Sequence, residues 1–246
     1  MSKPYYIELA NDVRIPILYE DRAVLAIDKP YGWMLVPHSW DKTNRNLQLA
    51  IRSSINAGDF WARSRGITYL RFIHRLDADT TGVLLFAKNP GAMRTYSALF
   101  ANRRIDKVYL AVVHGLPPER EWNCCLKLKA EPGLNGKVEV DPRSGLVAET
   151  FFRVLATHTG RALIEARPIT GRTHQIRVHL AASGHPILGD PLYGLRANSR
   201  SSDAKELALR AMSLTYIDPF QRRPVKIAAS VEEFKKKFGF RPEATA

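Results

Sequence analysis

Cysteine is scarce in this chain of 246 residues, which contains only Cys124 and Cys125, side by side. Neighbouring cysteines rarely meet the geometry of a disulfide bond, and two thiols without further spaced ligands do not make a zinc site. The sequence therefore excludes a disulfide framework. It predicts buried or neutral thiols in a reducing compartment.

Long apolar runs are also missing. Residues 1–8 lack the apolar stretch of a secretory signal, and the longest segment without Lys, Arg, Asp or Glu covers residues 178–189. This segment is shorter than the about 20 apolar residues that a membrane-spanning helix needs. We therefore expect a soluble, cytoplasmic protein that does not bind a membrane.

Sequence patterns for metals and cofactors are equally scarce. His174, His179 and His185 are five and six residues apart, a spacing that does not stack ligands on one helix face, and no acidic or cysteine cluster accompanies them. The glycines of this segment match no nucleotide-binding fingerprint, and no serine lies in a nucleophile-elbow pattern. We expect neither a metal nor a cofactor.

Positive charge, by contrast, is abundant. Lys and Arg number 37 against 24 Asp and Glu, which gives a net charge of +13 and a pI near 9.9. Such an excess is typical of a protein with a polyanionic partner, most often nucleic acid, although some basic proteins have no such partner. The basic residues are spread along the chain, so a folded surface must bring them together.

Strand patterns dominate the sequence, and helix patterns fall between them irregularly, which predicts the α+β class. We expect one domain over residues 1–246, with its core in about 17–235 and with flanking helices on a mixed, largely antiparallel β-sheet. Strands are predicted at 17–19, 23–27, 67–72, 82–87, 108–113 and 162–166, and helices at 47–57, from Asn89-Pro90 onward, and from Thr173 to Gly184. Residues 132–144 favour a hairpin or surface loop, and residues 196–209 a polar, mobile segment.

Four charged or polar side chains, those of His74, Arg75, Asp77 and Asp79, lie within six residues, directly before the apolar run 83–87. A lone aspartate between two strands is usually a turn former. At the edge of an apolar core, however, a carboxylate needs a cationic or hydrogen-bonding partner to stay ionised. This makes Asp77 a candidate site residue, whereas Asp79 is interpreted as structural or solvated.

Two further residues are candidates in other segments. Arg172 follows Gly171, a permissive turn residue, and precedes a predicted helix. An arginine in such a loop is ordinarily a surface charge, but its planar guanidinium is also suited to bind a buried carboxylate with two hydrogen bonds. Tyr109 lies in a predicted strand, where a packed aromatic ring is the common alternative to a site role.

The segment HRLDADTTG at residues 74–82 resembles the signature of the RluA-type RNA pseudouridine synthases. Further matches occur in the order found in that family: ILYED at 17–21, DKP at 28–30, KVYLA at 107–111, GRTHQIRVH at 171–179 and GHPILGD at 184–190, with a weak continuation at 210–214. Thr81 stands where the family often has Ser. The segment before Ile17 is short, so we expect no separate N-terminal RNA-binding domain of the kind that some relatives carry.

The resemblance implies an enzyme that converts uridine to pseudouridine in structured ribosomal or transfer RNA, without metal or cofactor. By resemblance, Asp77 is the catalytic carboxylate and Arg172 pairs with it. Tyr109 stacks on the uracil and helps to take a proton from its carbon. Arg75 enters the space left by the flipped base, and His74 either contacts the substrate or is structural.

The expected partner is RNA, with no obligatory protein partner and a monomeric state. Two other functions remain open at this point: a non-catalytic RNA-binding domain of the same fold, and an N-glycosidase that acts on nucleosides. The first accounts for the charge but not for the joint presence of the three candidate catalytic residues. The second would release free base and has less need of so basic a surface.

Overall fold

The computed structural model describes residues 3–35, 45–133, 136–195 and 205–240. The chain divides into two compact units, unit 1 with Met1–Ile105 and Ser213–Ala229, and unit 2 with Asp106–Met212 and Ser230–Ala246. The expected single domain stays a prediction. In chain order the elements are β1 (Tyr6–Leu9), β2 (Val13–Glu20), β3 (Val24–Lys29), α1 (Leu47–Ala57), α2 (Phe60–Arg63), β4 (Arg71–Phe72), β5 (Thr81–Ala87), α3 (Pro90–Ala101), β6 (Ile105–His114), β7 (Glu121–Leu128), β8 (Leu146–His158), β9 (Arg161–Pro168), α4 (Gln175–Ala182), β10 (Leu209–Ile217), β11 (Pro224–Ala228) and α5 (Glu232–Lys237).

Unit 1 is built on antiparallel strands in the order β1-β2-β3-β5, with β4 beside β5. Residues 213–217 of β10 pair with β11 in the same unit. The apolar run of β5 is buried from Gly82 to Ala87, so both faces of this strand are covered. This burial explains why the run does not alternate with polar residues. Tyr96 of α3 packs with Val83 and Leu85 in the core.

The sequence predicts no hairpin of β1 and β2, since its first predicted strand covers only residues 17–19, whereas β2 begins at Val13 and pairs with β1. Ala10, Asn11 and Asp12 connect the strands, and Asn11 and Asp12 have positive φ, 61° and 57°. Asn and Asp tolerate this backbone better than most residues.

The strand predicted at residues 67–72 is wrong for most of its length, because only Arg71–Phe72 pairs with β5. The side chain of Gln48, on α1, supplies the missing backbone partners. Its Nε2 donates to the carbonyl of Leu70 (2.9 Å), and its Oε1 accepts from the N–H of Phe72 (3.3 Å). A side chain thus replaces the neighbouring strand at this place.

The first two predicted helices are confirmed. Helix α1 has the expected bounds, and the side chain of Asn46 accepts from the N–H of Leu49 at its start. Asn89 caps α3 in the same way, accepting from the N–H of Ala92 (2.8 Å), and Pro90 is the first helical residue. Both starts follow from local chemistry, since an Asn oxygen satisfies a backbone donor that the helix leaves unpaired.

Unit 2 contains the antiparallel strand order β6-β9-β8-β7. Helix α4 packs on β7, β8 and β9, where Val178 meets Leu128 and Ala148. The predicted helix from Thr173 begins two residues late, at Gln175, because His174 has a left-handed backbone (φ 54°). Antiparallel sheets with few helices confirm the α+β class.

Some remaining expectations are only partly met. Both cysteines are free, as predicted, but neither is fully buried, because Cys124 is half-buried and Cys125 is exposed. Residues 132–144 carry no named strand in their described part, 132–133 and 136–144, and Val140 bridges to Leu128. Most of the segment 196–209 lies outside the described residues. Within the described part of the chain, no helix is long and apolar enough to span a membrane.

Candidate active site

Asp77 lies in the loop between β4 and β5, as the sequence predicts. The carbonyl of Asp77 accepts from the N–H of Thr80 (3.2 Å), which closes a tight turn around the aspartate. The side chains of Asp77 and Asp79 are half-buried, Thr80 is buried and Arg75 is exposed. The loop therefore carries a half-buried acidic side chain, Asp77, and an exposed basic one, Arg75, just before the start of β5.

Lys29, which contacts the backbone of this loop, was not predicted as a site residue. Lys29 ends β3 opposite Gly82, the second residue of β5, and is fully buried. Its Nζ donates to three carbonyls, those of Ala78 (2.7 Å), Thr80 (2.9 Å) and Pro30 (3.1 Å). These three bonds use the whole donor capacity of an ammonium group. Lys29 thereby holds the backbone directly after Asp77.

The charge of Lys29 is costly at this position. Burial lowers its pKa from 10.5 to about 8, and the negative charges of Asp79 and Asp77 oppose that decrease. The net decrease corresponds to about 3 kcal/mol in favour of the neutral amine. At neutral pH the group is nevertheless mostly protonated and can serve all three carbonyls. One sign of this role is present in the sequence, a lysine that closely follows the apolar run 24–27.

His74 makes contacts within unit 1 that favour a structural role. Its Nε2 accepts from the N–H of Leu85 (3.1 Å), and its ring stacks on Phe100 with 4.6 Å between centroids. Because Nε2 is the acceptor, the neutral ring carries its proton on Nδ1. The predicted contact of His74 with substrate stays a prediction.

The other two predicted catalytic residues belong to unit 2. Tyr109 is half-buried in the middle of β6, opposite Ala166 of β9. Arg172 lies in the turn before α4 and is also half-buried, and its Nε donates to the carbonyl of Val147 (3.2 Å). In this turn His174, rather than Gly171, has the left-handed backbone. Gly171 was expected to supply a permissive turn, but its backbone conformation does not require a glycine.

A buried ion pair connects helix α4 to the segment that follows it. Arg177 donates through Nε and Nη2 to the two carboxylate oxygens of Asp190, both at 2.8 Å, and both side chains are almost completely buried. Arg177 lowers the pKa of Asp190 against the opposing effect of burial. A bidentate pair of this kind fixes the orientation of the helix.

His179 of α4 is fully buried, and burial lowers its pKa from 6.5 to about 4. Its Nδ1 lies 3.0 Å from Oγ1 of Thr150 on β8. The ring is therefore neutral at physiological pH and ties the helix to the sheet. Among the described residues, no group of three or more His, Cys, Asp or Glu side chains is arranged to hold a metal ion.

Comparison with known proteins decides the family. The sequence profile described as RNA pseudouridylate synthase matches residues 23–182, which include the Asp77 loop, Tyr109 and Arg172. The chain belongs to this family. The match confirms the RluA-type resemblance and the enzyme class expected from the sequence, an RNA pseudouridine synthase.

Two relatives show how far the similarity extends along the chain. A ribosomal large subunit pseudouridine synthase C of Vibrio vulnificus is 35% identical over 224 residues, which cover 88% of this chain and 66% of the relative. The chain thus spans just under two thirds of that protein. An uncharacterized RNA pseudouridine synthase of Zymomonas mobilis is 32% identical over 91% of this chain and 97% of its own length.

A solved structure supports the fold. The human protein RNA pseudouridylate synthase domain containing 1 superposes with a TM-score of 0.69 at 26% identity, over 88% of this chain and 83% of that structure. The similarity confirms the fold class of this synthase.

Proposed function

We propose that this pseudouridine synthase isomerises uridine to pseudouridine in ribosomal RNA of the large subunit, with Asp77 as its catalytic carboxylate. The choice of RNA is supported by relatives named for the large ribosomal subunit, such as that of Vibrio vulnificus. The net charge of +13 suits a substrate that carries one phosphate per nucleotide. The observation that carries most weight is the half-buried carboxylate of Asp77, on a loop held by two hydrogen bonds from a buried lysine, to the carbonyls of Ala78 and Thr80.

The proposed reaction balances without a further reactant. The bond between N1 of uracil and C1′ of the ribose breaks, and a bond between C5 and C1′ forms. C5 then loses its hydrogen as a proton, and N1 gains a proton. Breaking the first bond builds positive character on the sugar, which a fixed carboxylate can stabilise or trap covalently. Asp77 can alternatively remove a ribose proton, and both routes need it ionised.

The roles of the other site residues are part of the same proposal. Arg172 pairs with Asp77 and keeps the carboxylate ionised and oriented. Tyr109 stacks on the uracil and helps to remove the proton from C5 after the rings have rejoined. Exposed Arg75 fills the gap left by the flipped nucleotide, where a planar guanidinium can stack on the neighbouring bases.

The proposal extends to the state in which the enzyme works. We propose that the chain acts as one domain, as a monomer in the cytoplasm, without metal or cofactor. Recognition then combines the shape of an RNA loop with a few flanking bases. Activity that persists in a chelator and a monomeric mass during sedimentation would support this part.

Three alternatives are distinguished by their products. A synthase specific for transfer RNA would modify that RNA and leave ribosomal RNA unchanged. A non-catalytic RNA-binding domain would bind either RNA without changing it. An N-glycosidase would release free uracil, which a chromatogram separates from pseudouridine.

The experiment uses large-subunit ribosomal RNA transcribed in vitro with tritium on C5 of its uridines. Formation of pseudouridine releases this tritium to water, because C5 becomes bonded to the ribose. We expect wild-type protein to release tritium at a few discrete sites, which carbodiimide labelling and primer extension then locate. Release from labelled transfer RNA alone, or release of labelled uracil, would contradict the proposal.

A further inference from the structure

Gln175, the first residue of α4, turns its side chain back toward the loop that carries Arg172. Its Oε1 accepts from the backbone N–H of Arg172 (2.9 Å) and from the hydroxyl of Thr170 (2.6 Å). Its Nε2 donates to the carbonyl of Glu149 and to Oγ1 of Thr150, both at 2.9 Å. The side chain thus connects the Arg172 loop to β8.

The carboxamide of Gln175 has no spare hydrogen-bonding capacity. It accepts two bonds and donates two, which is all that an amide side chain can do, and the residue is only 4% exposed. Rotating the amide by 180° would point its NH2 group at the N–H of Arg172 and its oxygen at the carbonyl of Glu149. Both contacts would be repulsive, so the orientation of the amide is fixed.

The helix start explains why this side chain is available to the loop. His174 occupies the cap position but makes no side-chain capping bond. The oxygen of Gln175 instead satisfies the backbone donor of Arg172, three residues earlier. The N–H of Arg172 lies before the helix, where no capping residue of α4 would reach it, and it is bound instead by a buried group with a fixed position.

A second side chain holds the same loop from β6. Nζ of Lys107 donates to the carbonyl of Thr170 (2.9 Å). Lys107 and Tyr109 are two residues apart on one strand, so their side chains leave the same face of the sheet. Arg172 and Tyr109, which the proposed reaction uses together, thus belong to one hydrogen-bonded framework inside unit 2.

We infer that Gln175 is a positioning residue for Arg172, with Lys107 as a second support of the same loop. The inference rests on the proposed function, since it assigns Arg172 to the reaction. An Arg172 backbone displaced by a fraction of an ångström moves the guanidinium that orients the carboxylate, and small misplacements of reacting groups are costly in rate. We expect the effect on kcat, because Gln175 is buried and Nζ of Lys107 is bound to the carbonyl of Thr170.

The test compares Gln175→Met with Gln175→Glu. Methionine has a similar length but removes all four hydrogen bonds. Glutamate keeps oxygen acceptors toward Arg172 and Thr170 but loses both donated bonds and buries a carboxylate beside the carbonyl of Glu149. We therefore expect Gln175→Glu to be the less stable variant in denaturant unfolding and yet to keep the higher kcat.

Quantitatively, we expect Gln175→Met to lower kcat for tritium release by about 10- to 100-fold, with KM for the RNA changed less than about threefold. Ser183→Ala is the matched control, since it removes a side-chain bond to the carbonyl of His179 at the other end of α4. This control should lose stability without losing kcat. All rates are measured under conditions in which each variant is fully folded.

A second variant keeps the inference testable if the Gln175 variants do not fold. Lys107 is half-buried, so Lys107→Met should be tolerated, and we expect kcat to fall about three- to tenfold. Exposed Lys127, replaced by Met, removes the same charge from the same unit and should leave kcat unchanged.

Several results would overturn the positioning role. One is a wild-type kcat in Gln175→Met. Another is a lower kcat in Gln175→Glu than in Gln175→Met, in line with its lower stability. A third is an equal decrease of kcat in Lys107→Met and Lys127→Met. A wild-type protein that forms no pseudouridine would instead refute the proposed function, which separates the two failures.

Discussion

Replacing Lys29 by methionine tests whether the buried lysine fixes the Asp77 loop. Methionine has nearly the same length but cannot donate to the carbonyls of Pro30, Ala78 and Thr80. The change also removes the net cost of burying the charge, about 3 kcal/mol, together with the attraction of that charge to Asp79 and Asp77. We expect a net loss of about 1–3 kcal/mol in the free energy of unfolding, from buried carbonyls without a donor.

The loss of activity should be larger than the loss of stability suggests. Asp77 acts from the backbone that Lys29 holds, and a displacement of about 1 Å can cost roughly 100-fold in rate. We expect kcat for tritium release to fall by about this factor, with KM for the RNA nearly unchanged. Lys88→Met is the control, because Lys88 follows the opposite end of β5, where it binds Glu20 and the carbonyl of Asp21.

The pH dependence of stability gives an independent measurement. The pKa of Lys29 is about 8 in the folded chain against 10.5 as its ordinary value, so the unfolded chain binds this proton more tightly between these two pH values. This group alone therefore makes the free energy of unfolding rise with pH in that window, by up to about 3 kcal/mol. Below pH 8 its burial cost is fully present. In Lys29→Met the increment is absent.

Either of two results would refute this reasoning. One is a kcat in Lys29→Met within about twofold of wild type, against the roughly 100-fold decrease that a displaced loop predicts. The other is an equal loss of kcat in Lys88→Met, which would show that the rate follows general stability.

Further predictions concern the RNA and the buried histidine. Affinity for substrate RNA should fall at least about tenfold between roughly 50 and 200 mM salt, and a flat profile in a filter-binding assay would favour a small nucleoside substrate. Arg75→Ala should slow modification of structured RNA more than that of a short single strand, and equal losses would assign Arg75 to local folding. Because the pKa of His179 is about 4 in the folded chain and 6.5 as its ordinary value, the unfolded chain binds more protons in that range. Stability from this group is therefore lost as the pH falls from 6.5 to 4, by up to about 3 kcal/mol, and His179→Gln should show a shallower pH profile in denaturant unfolding.

The parts of the fold predicted correctly depend on neighbouring residues. Helix α3 follows from Asn89 and Pro90, which set its start through contacts with the next turn. The position of Asp77 between two strands follows from the apolar run of β5 and the charges before it. Patterns of this kind are readable without a partner from elsewhere in the chain.

The parts that were missed depend on distant partners. Residues 67–72 have the composition of a strand, but Gln48 supplies backbone bonds from 22 to 24 residues away. Lys29 is interpreted from the sequence as part of a turn, and the sequence does not identify its hydrogen-bond acceptor Ala78, 49 residues later. Gln175 is close to Arg172 in sequence, yet its partners on β8 are 25 and 26 residues away. Sequence periodicity contains no information about such pairs.

The most direct test of the account is pseudouridine formation by Asp77→Asn. Asparagine keeps the shape of the side chain and removes its charge, so the fold and the affinity for RNA should be largely preserved. Arg172→Ala should also be severe, because in the proposed pairing it leaves the half-buried carboxylate of Asp77 without the cation that orients it and keeps it ionised. The double variant should be little worse than Asp77→Asn alone, since residues that act as a unit are not additive.

The deciding measurement is tritium release from labelled ribosomal RNA by purified wild type and Asp77→Asn, with RNA binding measured on the same samples. The account predicts that the variant binds RNA as wild type does and releases no detectable tritium. Turnover by Asp77→Asn at a sizeable fraction of the wild-type rate would contradict the assignment of Asp77 as the catalytic carboxylate.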